Sequence, residues 1–398
     1  MRKRFASMIS ILLLTFLAAC TSNVDEGKEA EEHTEVTETN GNVSNELLVT
    51  STKNVTRLDA DTLNEAAIMV SQTIWPATGN DNRPGTVILA PADQWQIALA
   101  GSDLIHHPNN GPVLFYNQEL SEETLHEIKR LSPTGNVNGT EVMVMGDASE
   151  KVLDALEEYK VEQITGNDPA EFAFAVDKKY AETAGELPQS VIIVSLEDDA
   201  KLYSLVASNW IAHMPEPVLF VSKDKIPQAT VEALQSRGNK ANMYVLAPEE
   251  VISESVVASL EEYGKVNRIA GETPVEASIA FAKFKDEKTG FGWGVTEPGH
   301  GFAFTTTAQP EFAIAGAPFA HLGKHAPLLW LENGEATSEI HEYLGALQPK
   351  FTDDPTVGPY NHAYILANLK EVSMDTQGMM DSMLEISPAN GSGGHGSH

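Results

Sequence analysis

Short uninterrupted apolar runs alternate with amphipathic stretches over most of this chain, and the two periods read as different elements. The stretch from 190 to 263 is the clearest. Residues 191–194 (Val-Ile-Ile-Val) carry no polar interruption, as in a strand buried on both faces. Residues 200–211 have helical spacing, 218–221 form the next strand, and 229–236 a helix with Pro227 near its start. A third strand over 243–246 leads to a helix over 252–263 bearing Val256, Val257 and Leu260. Strand–helix alternation with a crossover between each pair of strands predicts a parallel sheet with helices on both faces.

The same order of elements occurs three times. Arg57 to Ala67, Gln163 to Ala173 and Arg268 to Ser278 align without gaps, at a period of about 105 residues. Further landmarks keep that period. They are Pro112-Val113-Leu114-Phe115, Pro217-Val218-Leu219-Phe220 and Pro327-Leu328-Leu329-Trp330, and the apolar strands over 142–145, 243–246 and 363–366. The first and third copies also share Ile97-Ala98-Leu99-Ala100-Gly101 and Phe312-Ala313-Ile314-Ala315-Gly316. The fold class expected is therefore α/β, with three tandem repeats over 49–162, 163–267 and 268–387. A unit of this size holds its own core. Three in tandem can pack as a pseudo-threefold disc, the tethered counterpart of a cyclic trimer.

The N-terminus reads differently. Arg2-Lys3-Arg4 precedes an apolar run over 9–17, which ends in Leu17-Ala18-Ala19-Cys20. A charged start, an apolar middle and small residues before a cut make a secretory leader over 1–19. The run is short for a membrane span. Cys20 is the only cysteine of the chain, so no internal disulfide and no dithiol chemistry is available to it. The layout resembles the lipobox of bacterial lipoproteins, in which that thiol receives a diacylglyceryl group and becomes the mature N-terminus. Two acyl chains suffice for stable anchoring, so the expectation is a lipid-anchored protein on the extracytoplasmic face of the cell membrane. Residues 20–48 are acidic and almost free of large apolar groups, and read as a disordered spacer. The Gly/Ser-rich tail over 388–398 reads as flexible.

Charge narrows the partners. The formal net charge is −31, and loss of the leader removes three cations and no acid. A chain this acidic is not expected to bind a nucleic-acid backbone, and anionic lipid heads and anionic wall polymers such as teichoic acids both repel it, so the membrane is reached through the lipid alone. The acids serve as a solubilising surface, or as a bridge through divalent cations, or as the face for a basic partner.

The repeat landmarks resemble the type 2 cell wall-binding repeat of Gram-positive surface proteins. That family opens each repeat with Arg-[aliphatic]-x-Gly-x-Asp-Arg-Tyr-x-Thr-Ala and carries a Pro-[Ile/Val]-Leu-Leu strand further on. The resemblance implies Toprim-like α/β units, usually three, which hold anionic wall polymers without covalent attachment. On the matching positions it implies a ligand-binding set of Arg57, Gln163, Gly166, Asp168, Arg268 and Gly271. The family's Arg matches Arg57 and Arg268 but is Gln163 in the middle copy. Its Gly matches Gly166 and Gly271 but is Ala60 in the first, and its Asp survives only as Asp168, with Thr62 and Thr273 elsewhere. The Arg-Tyr that follows is absent from all three copies. An arginine fork can grip phosphate or carboxylate in two hydrogen bonds. Arg57 and Arg268 equally well pair with Asp61 or Glu272 nearby.

No motif points to an enzyme. There is no GxSxG elbow and no Walker loop. Gly290-Phe291-Gly292-Trp293-Gly294 belongs to a longer loop in the third copy. Thr305-Thr306-Thr307 can line a crevice or cap a helix. His321 and His325 stand four apart, but Gly323 and Pro327 interrupt a helix there, so they are expected as structural or exposed residues with no metal role. Trp95, Trp210 and Trp330 fall in element patterns and are expected in cores. No cofactor is expected. Asp198-Asp199 and Asp353-Asp354 could hold calcium weakly but lack the spacing of a calcium loop. The expected function is non-enzymatic binding of a cell-wall polymer, either an anionic polymer or peptidoglycan, or scaffolding on it. A protein-partner-binding sensor, a solute-binding lipoprotein or a glycan-cleaving enzyme are the alternatives, and a surface protein is the second kind of partner.

Overall fold

The computed structural model describes residues 50–389. Cys20, the leader, the whole acidic spacer and the end of the tail lie outside the described residues. No helix among the described residues is long and apolar enough to cross a membrane.

In chain order the strands are β1 (Val55–Leu58), β2 (Val87–Pro91), β3 (Val113–Tyr116), β4 (Val142–Met145), β5 (Val161–Ile164), β6 (Ser190–Ser195) and β7 (Val218–Val221). They continue with β8 (Ala241–Val245), β9 (Gly264–Arg268), β10 (Gly301–Thr306), β11 (Leu328–Leu331), β12 (Lys350–Phe351), β13 (His362–Leu366) and β14 (Ser387–Pro388). Twelve of them form three four-stranded parallel sheets, in the orders β3-β2-β4-β5, β7-β6-β8-β9 and β1-β13-β10-β11. β12 and β14 make a short parallel pair of their own. The fold is thus a repeated α/β arrangement, as the alternation predicts.

The sheets are offset from the sequence repeats. The strand that opens the second repeat, β5, pairs with β4 of the first, and β9 pairs with β8 in the same way. β1, which opens the first repeat, pairs with β13 of the third. Each sheet is therefore completed by a strand from the next repeat, and the last by the first, which closes the chain on itself.

The central strands bury both faces, and this is why they read as continuous apolar runs. In the second repeat Val191, Ile193, Leu219, Val221, Met243 and Val245 pack into a core of that repeat alone. Their neighbours Ile192, Val194, Phe220 and Tyr244 point the other way, into the core shared with the rest of the molecule.

The segment expected as one helix over 200–211 is broken into short pieces, with 3₁₀ turns at Asp198–Ala200 and Leu205–Ala207 flanking Lys201–Ser204, and a last turn at Ser208–Ile211. It is buried almost throughout its second half and lies where the repeats meet, so it tightens to fit its surroundings. Asn209 donates to the Ala326 carbonyl at 2.8 Å, and the Trp330 indole to that of Leu202 at 3.0 Å. Trp95 donates to Asp198 at 2.8 Å, and Lys201 pairs with Glu311 at 2.7 Å. Trp95, Trp210 and Trp330 are all buried, as expected. The glycine-rich 290–294 segment is a loop, again as expected, and it seats Phe291 flat on Tyr244 of the second repeat with 3.7 Å between ring centres.

Candidate functional site

The residues that carry the family resemblance sit at one structural position in three places. Arg57, Gln163 and Arg268 stand opposite Ile365, Val144 and Val245 on the neighbouring strand. Each side chain donates to the carbonyl two residues beyond that partner. Arg57 reaches Ala367 at 3.0 Å, Gln163 reaches Gly146 at 2.9 Å and Arg268 reaches Ala247 at 2.7 Å. These carbonyls lie just past the strand ends, where the ladder no longer supplies a donor.

Arg57 is buried and its fork is engaged further by the carbonyls of Asn368 and Ser373 and by the Gln377 side chain at 2.7 Å. Burial holds its guanidinium below its ordinary pKa, and Asp59 acts against that shift. Asp61, a possible partner by sequence, instead accepts from Asn368 at 2.8 Å. Arg268 also donates to Ile252 and pairs with Glu254 at 2.9 Å, and that carboxylate, not Glu272, is its partner.

The other matched positions shape the turn into the next helix. Asp168, Thr62 and Thr273 are the N-caps of helices Pro169–Ala184, Leu63–Ile74 and Pro274–Lys283. Asp168 accepts from two backbone amides at 2.9 Å, while each threonine forms a capping box with the glutamate three residues on. The Asp-to-Thr change across the copies therefore keeps the cap. Gly166 and Gly271 face the first turn of their helices so closely that an added Cβ would meet the backbone nitrogen of Phe172 at 2.4 Å or of Ala277 at 2.3 Å. The close approach, not a special φ, calls for glycine there.

Arg57, Gln163 and Arg268 belong to three different sheets and are not brought together. Of the hydroxyls at the end of β10, Thr305 donates to the Leu366 carbonyl, while Thr306 and Thr307 accept from the amides of Ala308 and Asn333. They stabilise loops.

Open space lies instead between two helices of each repeat. In the first, a cleft of about 920 Å³ runs between Leu63–Ile74 and Glu122–Leu131. Its floor has Ile68 and Met69, its walls carry Asp59, Asp61, Glu65, Glu122 and Glu123, and no Lys or Arg lines it. The second, of about 430 Å³, lies between Pro169–Ala184 and Gln228–Gln235, and Gly166, Thr165, Asn167, Phe174 and Lys178 line it. The third, of about 480 Å³, lies between Pro274–Lys283 and Ser338–Ala346, with Lys283, Tyr343, Glu339 and Glu342. In these two the lysine ammonium stands over an aromatic ring, Lys178 at 4.0 Å from the centre of Phe174 and Lys283 at 4.9 Å from that of Tyr343. Sequence reasoning missed both lysines. The helix over 229–236 is legible, but which helix stands beside it to form a groove is set by the packing.

No family model matches the chain, and no curated protein matches it. Among solved structures, Cwp6 from Clostridium difficile is similar, with a TM-score of 0.65 at 17% identity over 83% of this chain and 48% of that one. Cwp8 from Clostridium difficile gives a TM-score of 0.63 at 16% identity over 84% of this chain and 52% of that one. The chain thus spans about half the length of these neighbours. At such identity the likeness is one of fold.

Proposed function

We propose that this chain is a non-catalytic, lipid-anchored protein of the extracytoplasmic membrane face whose three repeats dock on a cell-wall polymer. The repeat landmarks of the type 2 cell wall-binding family and the fold shared with Cwp6 and Cwp8 support the wall as the setting. The observation that carries the reading is the recurrence of one inter-helix groove in every repeat. A polymer offers the same chemical unit again and again, and three tethered copies of a weak site give avidity without any single strong contact.

The grooves take over the ligand-facing role that sequence gives to Arg57 and Arg268, because those side chains are engaged by the protein's own carbonyls. Lys178 on Phe174 and Lys283 on Tyr343 each place a cation beside an aromatic face among carboxylates (Asp147, Glu171 and Glu232 in one groove, Glu276, Glu339 and Glu342 in the other), a mixed lining suited to the hydroxyls of sugar rings. The first groove carries several carboxylates and no Lys or Arg, and admits an anionic polymer through a bridging cation such as calcium. A second reading, a protein partner rich in Lys and Arg, draws on that same acidic groove.

The test is sedimentation of the full chain with purified sacculi, with and without their anionic polymers, in calcium or chelator. Retention that falls at least tenfold in Lys178→Ala plus Lys283→Ala supports the reading. Failure to sediment under every condition overturns it and leaves the basic protein partner.

A further inference from the structure

The glycine-rich loop over 290–294 takes no part in the inter-helix grooves, yet a cavity is built on it. Phe291 anchors the loop in the core. Gly292, at a φ of +95°, passes Phe284 so closely that a Cβ would meet its carbonyl oxygen at 2.4 Å. Trp293 follows and remains half-buried. It lines a cavity of about 490 Å³ where the second and third repeats meet. Trp210 and His213 come to it from the second repeat, Trp293, His300 and His325 from the third. His213 is the counterpart of His106 and His321, each five residues after Ser208, Gly101 and Gly316 in turn. The rings of those two meet each other, with 5.4 Å between centres. His213 instead lies parallel to Trp293 within 10°, at 5.6 Å, and His325 stands edge-on to His213 at 4.3 Å. Trp210 meets Trp293 at 5.0 Å and 85°.

We propose that this cavity is a binding site for a neutral pyranose sugar, separate from the three grooves. An aromatic lining with a few converging polar groups is the usual make-up of a small-ligand pocket. Among the described residues nothing hydrogen-bonds to the indole N–H of Trp293 or to the ring nitrogens of His213, His300 and His325. A pyranose has a face of C–H groups to lay on an indole and hydroxyls around its edge to reach those nitrogens.

Charge points the same way. No Asp or Glu among the described residues lines the cavity. The Lys285 ammonium donates to the carbonyls of Gly290 and Gly292 at 2.8 and 2.9 Å. A cationic ligand would find no carboxylate, and an anionic one only an ammonium already engaged. Burial, then the nearby imidazoles and Lys285, holds His213 near pKa 4, and burial lowers His300 as well, so both rings are neutral at pH 7. A neutral imidazole donates from one nitrogen and accepts at the other, which suits a hydroxyl, itself donor and acceptor. The wall reading supplies a source of such sugars, but none of these observations depends on it.

The experiment is calorimetric titration of the full chain at pH 7.5 with two neutral probes, cellotriose and the N-acetylglucosamine trimer, and with trigalacturonic acid as the anionic counterpart. One saturable site per chain is expected for at least one neutral probe. Lys178→Ala plus Lys283→Ala should leave that binding unchanged, so failure of the grooves to hold sacculi and failure of this site read separately. Trp293→Ala should weaken binding at least tenfold, and Trp293→Phe, which keeps an aromatic face, should recover part of the loss. His300→Ala, at a half-buried position, should weaken it about fivefold. No binding of either neutral probe, a preference for trigalacturonic acid, or an affinity indifferent to both Trp293→Ala and His300→Ala overturns the proposal.

Discussion

Arg57 donates to the carbonyl of Ala367 at 3.0 Å across 310 residues of chain, and this bond ties the first strand of the first repeat to the last sheet of the third. Gln163 and Arg268 make the same bond one and two repeats along. The residues with the strongest look of ligand contacts are thus clips that secure each strand exchange.

Arg57→Ala should destabilise the protein by about 2–4 kcal/mol, because several buried carbonyls and the Gln377 amide lose a charged donor at once. Arg268→Ala should cost less, about 1 kcal/mol, since its acidic partner Glu254 is well exposed. Arg57→Lys should not restore the loss, as an ammonium cannot span the fork's partners. Denaturant midpoints for the three variants check the order.

Asp168→Ala, Thr62→Ala and Thr273→Ala should each cost about 1 kcal/mol as lost N-caps. Thr273→Asp should be neutral within a few tenths, because the cap accepts either oxygen. A Thr273→Asp variant that changed sacculus sedimentation while leaving the denaturation midpoint unmoved would assign this position a ligand contact as well.

Acid should loosen the junction between repeats. Burial is the largest cause that pushes His106 and His213 down to about 4 and His321 to about 3, and repulsion between imidazoles adds to it. Groups that bind protons more weakly when folded stabilise the fold above their unfolded pKa, near 6.5. That contribution fades as pH falls from about 6.5 through about 4. Thermal melts across this window should show Tm falling, and less steeply in His106→Gln plus His321→Gln.

Asp103 carries the opposite sign. It is fully buried, and neither carboxylate oxygen has a hydrogen-bond partner. Burial raises its pKa well above the usual range, with Asp177 and Glu216 adding to the shift and Arg237 opposing it. Its neutral form stabilises the fold below the unfolded pKa, near 3.9, and that support is lost as pH rises through the folded value. Asp103→Asn should therefore raise stability at pH 8 and leave it nearly unchanged at pH 3, a difference that denaturation at the two pH values reads directly.

Signals close together along the chain specify the elements of this protein. The runs at 191–194 and 218–221 read as buried strands because both faces are covered. The period of about 105 residues and the parallel α/β class follow from the same local signals. Which strand lies beside which is settled by long-range packing. A parallel pairing is set by packing across long crossovers, so nothing near Arg57 announces Ile365 as its neighbour or Ala367 as its acceptor. The same holds for His106 and His321. Their equivalence is visible in the repeat, but their meeting comes from the closure of three repeats on one another, and a groove exists only once two distant helices stand side by side.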